Sequence, residues 1–156
     1  MLNFRTIALA AALTGIASLA VAGGHGGNPA VKARKAHMQL YAHNIGILGA
    51  MAKGEVEYNA DAATAAASNL AAVAQLNQAS YWTPGTSTAE LGDETRALPA
   101  IWQEGSTAAQ IGGQMAEAAV ALAAVAGNGA DAIGPALGPV GQACGSCHKA
   151  YRQPNN

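Results

Sequence analysis

Along the chain, apolar positions recur at alternating steps of three and four, and no alternation of period two survives beyond a few residues. From Pro29 to about Lys53, Met38, Tyr41, Ile45, Leu48 and Ala52 fall on one face of a predicted helix, and Lys53-Gly54 supplies a cation and a glycine at its end. A second helix is expected to start at Asn59 or Asp61 as cap and to run to about Gln78, with Leu70, Val73 and Leu76 inward. Residues 79 to 100 carry Tyr81, Trp82, Pro84-Gly85, Ser87, Gly92 and Pro99, which break any period and predict a long ordered connection. A third helix is expected over Ile101 to Ala126, with Ile111, Met115, Ala119 and Leu122 on its stripe and Asn128-Gly129 as the turn after it. The fourth, from about Asp131 to Arg152, contains Pro135 and Pro139, so it is expected to begin late or to kink near Pro139. Four helices joined mostly by short connections predict an all-α fold, an antiparallel four-helix bundle with its sites built between facing helices.

The first 22 residues stand apart. Met-Leu-Asn-Phe-Arg precedes an uncharged stretch from Thr6 to Val21 that ends in Ala20-Val21-Ala22, the pattern of a secretory signal peptide cleaved after Ala22. Gly15 interrupts the stretch and no basic stop-transfer cluster follows it, which disfavours a retained membrane anchor. The expected division is a signal peptide over 1–22 and one exported domain over 23–156, with no stable membrane span after cleavage. Cleavage removes Phe4, the only Phe of the chain, so the mature core must be filled by aliphatics, Trp, Tyr or a bulky group that is not protein.

Composition narrows the functional classes. About a quarter of the residues are Ala, which suits helices, and eight Lys and Arg against nine Asp and Glu give a formal net charge of −1. With no basic run, nucleic acid is not an expected partner. Glu104, Glu117 and Asp131 are isolated, with no paired carboxylate or neighbouring nucleophile, so an enzyme is not expected.

The chemistry lies in Cys144-Gly145-Ser146-Cys147-His148. Thiols at i and i+3 share one side of a helical turn and can add to the two vinyl groups of a haem, while the next imidazole reaches the iron as proximal ligand. A zinc site would need further Cys, and none exists. A thioredoxin-like redox pair would need a βαβ pattern, and a disulfide closing so short a loop would stabilise little. One haem c per chain is the expected cofactor, attached at Cys144 and Cys147 with His148 on the iron.

The terminal position of Cys-Gly-Ser-Cys-His-Lys-Ala-Tyr-Arg resembles the class II c-type cytochromes, the cytochrome c-prime family and its low-spin six-coordinate relatives. The resemblance extends to Lys32-Ala33-Arg34-Lys35-Ala36, to Met51-Ala52-Lys53-Gly54-Glu55 with Tyr58, to Pro84-Gly85-Thr86-Ser87 and to Ala100-Ile101-Trp102. It implies a periplasmic haem protein of bacterial electron transport, with periplasmic redox proteins as partners and a possible homodimer through the first two helices. It places the residue four after the arginine, Met38 after Arg34, at the distal face of the haem, as sixth ligand or as pocket lining. Arg34, with Lys35 and Arg96 as second choices, is the expected cation for the haem propionates, and Leu98 and Pro99 are expected to pack on the ring.

His43, about 140° around the helix from Met38, is expected to point away from the haem; His37 is expected to be peripheral and His25 uninvolved. Trp102 is expected to be buried near the haem and Trp82 to cover the long loop. Two functions follow. The leading one is a one-electron carrier with sulfur from Met38 on the iron; the alternative, with that position open, is a five-coordinate protein that binds NO or CO.

Overall fold

The computed structural model describes residues 27–154; the segment read as a signal peptide, and His25, lie outside the described residues. Helix α1 spans Pro29–Ala52. Asn28 caps it, its side chain accepting from the amides of Ala30 (2.9 Å) and Val31 (3.3 Å), and Pro29 occupies the first turn, where its missing N–H costs nothing. Gly54, at φ +70°, ends it as expected. Helix α2, Ala60–Ala74, is capped by Asn59, whose side-chain oxygen accepts from the Ala62 amide at 2.8 Å. It buries Ala63, Ala66, Ala67, Leu70, Ala71 and Ala74, an inward face of small side chains that lets its neighbours approach closely.

Two expectations change here. α2 stops at Ala74 rather than near Gln78, which leaves Leu76 beyond the helix and half exposed, and Val73 is half-buried at the edge of the inward face. In α1 the buried stripe is Val31, Arg34, His37, Tyr41, Asn44, Leu48 and Met51. Tyr41 and Leu48 lie inside as expected, but Met38, Ile45 and Ala52 flank the stripe, half-buried. Polar residues take the interior positions because most find partners there, Asn44 donating to the Leu40 carbonyl at 2.8 Å and Arg34 reaching into the loop described below.

The long connection carries a one-turn helix α3, Thr88–Leu91, closed by a reciprocal cap between Ser87 and Glu90, and short 3₁₀ turns at Gly92–Glu94 and Pro99–Trp102. The helix expected from Ile101 begins only at Ala108. Pro99 opens a tight turn, Gly105 takes φ +80°, and the regular helix α4 runs over Ala108–Val125 with Met115, Ala119 and Leu122 buried. α4 with its following turn, residues 108–128, is apolar enough to cross a membrane by length and composition, but it packs as a bundle helix against α2 and α5. α5, Ala130–Tyr151, is helical through both prolines. Each proline follows a glycine, Gly134 or Gly138, so the pyrrolidine ring meets no preceding Cβ, and both prolines face solvent. The expected late start does not occur.

The helices close a ring in which α1 packs on α2, α2 on α4, α4 on α5 and α5 on α1. At one end, Tyr58 ties the α1–α2 connection to the α4–α5 turn, its hydroxyl donating to the Ala126 carbonyl and accepting from the Gly129 amide, both at 3.0 Å. Leu48, Leu70, Leu122, Ile133 and Val140 are fully buried between the helices.

At the other end the loop folds over the start of α1 and is held by one side chain. Arg34, 5% exposed, donates from Nη1 to the Tyr81 carbonyl (2.8 Å) and Thr86 Oγ1 (2.6 Å), and from Nη2 to the Thr86 carbonyl (2.8 Å) and Thr95 Oγ1 (3.1 Å). Its guanidinium lies 5.1 Å from the Trp82 ring centre and 5.8 Å from that of Trp102, and the Trp102 indole donates to the Trp82 carbonyl at 2.9 Å.

Arg34→Met should therefore strand several buried oxygens and cost about 3 kcal/mol, read as a lower denaturation midpoint and faster proteolysis between residues 75 and 107; Arg34→Lys should recover only part of it. His37 supplies a second expectation. It is 4% exposed, stands edge-on to Tyr41 at 4.5 Å with Tyr81 at 5.8 Å, and its Nε2 has no hydrogen-bond partner. Burial holds its pKa below the ordinary 6.5, so the folded protein takes up this proton less readily than the unfolded chain. The stability this group contributes is present above 6.5 and is lost as pH falls below it; His37→Phe should flatten the pH dependence of the denaturation midpoint in that range without lowering it at neutral pH.

Candidate functional site

The last turns of α5 present Cys144, Cys147 and His148 together, all half-buried. The two thiols are free, not bridged to each other. Burial raises the pKa of both, and the neighbouring Cys144 raises that of Cys147 further, so they stand as neutral thiols, not as reactive thiolates. Cys144 Sγ lies 3.9 Å from Met115 Sδ, which packs the attachment side of α5 against α4. His148 has its pKa lowered, first by burial and then by the charges of Arg152 and Arg96. A neutral imidazole with its lone pair available is what an iron ligand requires.

This turn is held from three sides. The Arg152 amide donates to the His148 carbonyl at 3.2 Å and ends the helix. Residues 96–98 then pair with 151–153: the Leu98 amide donates to the Tyr151 carbonyl at 2.9 Å, the Gln153 amide to the Arg96 carbonyl at 2.8 Å, and the Arg96 guanidinium to the Gln153 carbonyl. The Tyr151 hydroxyl accepts from the Thr107 amide at 2.8 Å and fixes the start of α4. The loop that carries Arg96, Leu98 and Pro99 is thereby stitched to the end of the helix that carries the motif.

The structure thus brings six of the expected site residues, Cys144, Cys147, His148, Arg96, Leu98 and Pro99, to one end of the bundle, and joins Arg34 to them through Thr95. Met38 is half-buried on α1, packed against the apolar core, and α1 is a direct neighbour of α5. Lys35 is exposed, and so is His43, the latter as expected. Trp82 and Trp102 are both half-buried, so Trp102 is less enclosed than expected. His37 is buried in the interior stripe of α1. Sequence reasoning also passed over Thr86, Thr95, Met115 and Tyr151 as positioning groups. The spacing of 34, 37, 41, 44 and 48 carried the signal for His37, had polar residues been admitted to the stripe.

These residues fit a haem better than a bare metal ion. No group of three or more His, Cys, Asp or Glu is arranged to hold a metal among the described residues. Two neutral thiols one turn apart beside a neutral imidazole suit two thioether bonds and one iron bond. Arg34 is a buried cation with no carboxylate partner among the described residues, where the one ion pair is Lys53–Glu55. Such a charge is stabilised by an anionic ligand group.

Comparison with known proteins agrees. A protein-family model described as Cytochrome C' matches residues 29–152. Cytochrome c-554 of Cereibacter sphaeroides is 41% identical over 123 residues, 79% of this chain and 80% of that one. Cytochrome c' of Allochromatium vinosum is 37% identical over 140 residues, 88% of this chain and 89% of that one. Among solved structures, a cytochrome c' from Rhodobacter superposes with a TM-score of 0.77 at 39% identity, covering 81% of this chain and 96% of its own. A cytochrome c' with ligand-controlled dimer dissociation superposes at 0.73 with 35% identity, covering 83% and 99%. A nitric oxide complex of a variant of cytochrome c prime from Alcaligenes xylosoxidans superposes at 0.68 with 30% identity, covering 80% and 94%. A four-helix bundle with the attachment motif on its last helix, matched along almost all of the described residues, makes this chain a member of the cytochrome c' family, which carries iron in covalently attached haem c.

Proposed function

We propose that this protein is a periplasmic haem c protein that binds NO or CO on an open distal face lined by Met38. Cys144 and Cys147 would hold the haem and His148 would supply a ligand to its iron. The observation that carries this reading is Met38 itself: its thioether packs against the apolar core cluster and flanks the buried stripe of α1, the behaviour of a wall residue. The nitric oxide complex of the Alcaligenes relative supports the same ligand class.

When bound, the haem supplies an iron centre able to take a small neutral ligand and to change charge by one electron. The protein's own part is positional. The strap from Arg96 to Leu98 fixes the end of α5, so the His148 ring is held in one direction. Arg34, Lys35 and Arg96 offset the propionates, and Leu98 and Pro99 pack on the ring. Met38 and the apolar groups beside it exclude water from the distal side and admit uncharged diatomics. Export through cleavage after Ala22 belongs to this reading, as does a homodimer like the one named for the solved relative with ligand-controlled dissociation.

A second reading has its own support: the thioether of Met38 stands four residues after Arg34, and a relative at 41% identity is named cytochrome c-554. With sulfur on the iron the protein would be a one-electron carrier.

Visible spectra of the exported protein, oxidised and reduced, with and without CO, separate the two. Open-site binding predicts broad high-spin bands and rapid CO uptake, with Met38→Ala leaving the spin state unchanged and speeding CO binding by about tenfold, roughly 1.4 kcal/mol of barrier. Low-spin bands with a far-red sulfur-to-iron absorption, indifferent to CO until Met38 is replaced, would instead establish the carrier.

A further inference from the structure

The charges of the described chain are unevenly spread. At the end closed by Tyr58 stand Glu55, Glu57, Asp61 and Asp131, with Lys53 as the one cation, itself 3.6 Å from Glu55. All six other described cations lie at the opposite end, with the attachment motif. Lys32 and Lys35 project from the first turns of α1, and Lys149 and Arg152 from the last turn of α5; all four are exposed. Arg96 is held between these two groups by its bonds to Gln153 and is half exposed, and Arg34 lies buried beneath them. Proximity to the site has an independent sign, since Arg152 and Arg96 are the two charges that weigh on His148. The acids of this end, Glu90, Asp93, Glu94 and Glu104, all belong to the loop; Glu90 is bound to Ser87, and Glu94 accepts from the Asn28 amide. Among the described residues none pairs with a lysine or arginine.

We propose that Lys32, Lys35, Arg96, Lys149 and Arg152 form a docking face around the haem edge for a partner protein with an acidic surface, which exchanges electrons through that edge. A molecule with a formal net charge of −1 therefore presents a locally positive potential at its redox site. Such an arrangement orients the approach of an acidic partner and raises the encounter rate, an effect that salt screens. The large exposed apolar side chains, Leu40, Val56, Leu76 and Val120, are not among these residues, so the face offers no wedge for insertion into a lipid surface. The inference rests on the chain being a haem protein that changes oxidation state, under either coordination of the iron.

Small charged redox reagents report this potential on the holoprotein without a known partner. In oxidation of the ferrous protein, one electron passes from haem iron to the reagent, either ferricyanide, an anion, or tris(phenanthroline)cobalt(III), a cation. Between about 10 mM and about 0.5 M salt, the ferricyanide rate should fall several-fold and the cobalt rate should rise, opposite to what net charge dictates. Exchanging Lys32→Glu and Lys149→Glu together should lower the ferricyanide rate several-fold at low salt, weaken or reverse both slopes, and leave the rates at high salt near those of the parent.

A ferricyanide rate that rises with salt, or slopes the double variant does not alter, would overturn the docking face alone. A protein that reacts with neither reagent at any salt would overturn it together with the redox reading beneath it. Sedimentation of the holoprotein with phosphatidylserine vesicles in low salt, abolished in the double variant, would assign the face to a membrane and so overturn the protein partner; no sedimentation is expected.

Discussion

A single buried guanidinium holds the functional end of this molecule together. The apolar side chains of the connection between α2 and α4, Trp82, Leu98, Ile101 and Trp102 among them, are only half-buried, and Arg34 reaches from α1 into it and satisfies two carbonyls and two hydroxyls. Thr95, one of those hydroxyls, precedes the residues that pair with the end of α5. α1, the loop and the motif-bearing turn therefore form one connected polar network. A lysine could not span it, because only a planar fork with several donors reaches Tyr81, Thr86 and Thr95 at once. The same charge lacks a carboxylate partner among the described residues, which ties the fold of the loop to the chemistry of the site: a clamp that orders the chain also leaves positive charge where a haem propionate would be welcome.

The two ends of the bundle are built by different physics. At the Tyr58 end, fully buried Leu48, Leu122 and Ile133 interlock with the small face of α2. At the motif end, Met38, Leu98, Pro99, Cys144, Cys147 and His148 are all half-buried. Since no Phe remains after residue 4, bulk at that end must come from Tyr81, Trp82, Trp102, Tyr151 and the prosthetic group. A haem ring laid against these half-buried groups would bury apolar surface in the manner of any large core side chain. Attachment on this reading contributes to folding as well as to function.

Much of this was legible in the sequence, and the rest failed for identifiable reasons. The Cys144–His148 motif, the caps at Asn59 and Gly54, the stripe from Ile111 to Leu122 and the bundle itself followed from spacing. The face of α1 was displaced, because hydrophobicity alone pointed to Met38 and Ile45, whereas Arg34 and His37 are buried against the loop far away in sequence and Asn44 satisfies its amide on the Leu40 carbonyl of its own helix. The start of α4 was placed seven residues early because the tight turn at Pro99–Trp102 and the left-handed conformation at Gly105 went unforeseen. α5 is expected to begin late or to kink near Pro139, yet it is helical from Ala130, and the glycine before each proline removes part of the clash that would delay its start. In each case a local rule was overruled by a partner or neighbour that periodicity does not weigh.

Met38 shows where sequence stops deciding function. Its thioether can pack or ligate, and the choice depends on whether α1 can bring the sulfur to bonding distance without giving up the burial of Tyr41 and Leu48 on the same helix. Those two side chains, with Arg34 one turn before Met38, fix the rotation of α1 from both sides. The structure holds Met38 at the flank of that stripe, against the core cluster. A rotation that advanced Met38 would withdraw Arg34 from four hydrogen bonds, a loss of several kcal/mol if all were left unmade, against the bond of a soft neutral ligand to iron. The polar clamp at one position of the helix and the apolar packing at the next two turns thus set the rotation of α1, and on the proposed reading that rotation leaves Met38 as a wall of the distal face.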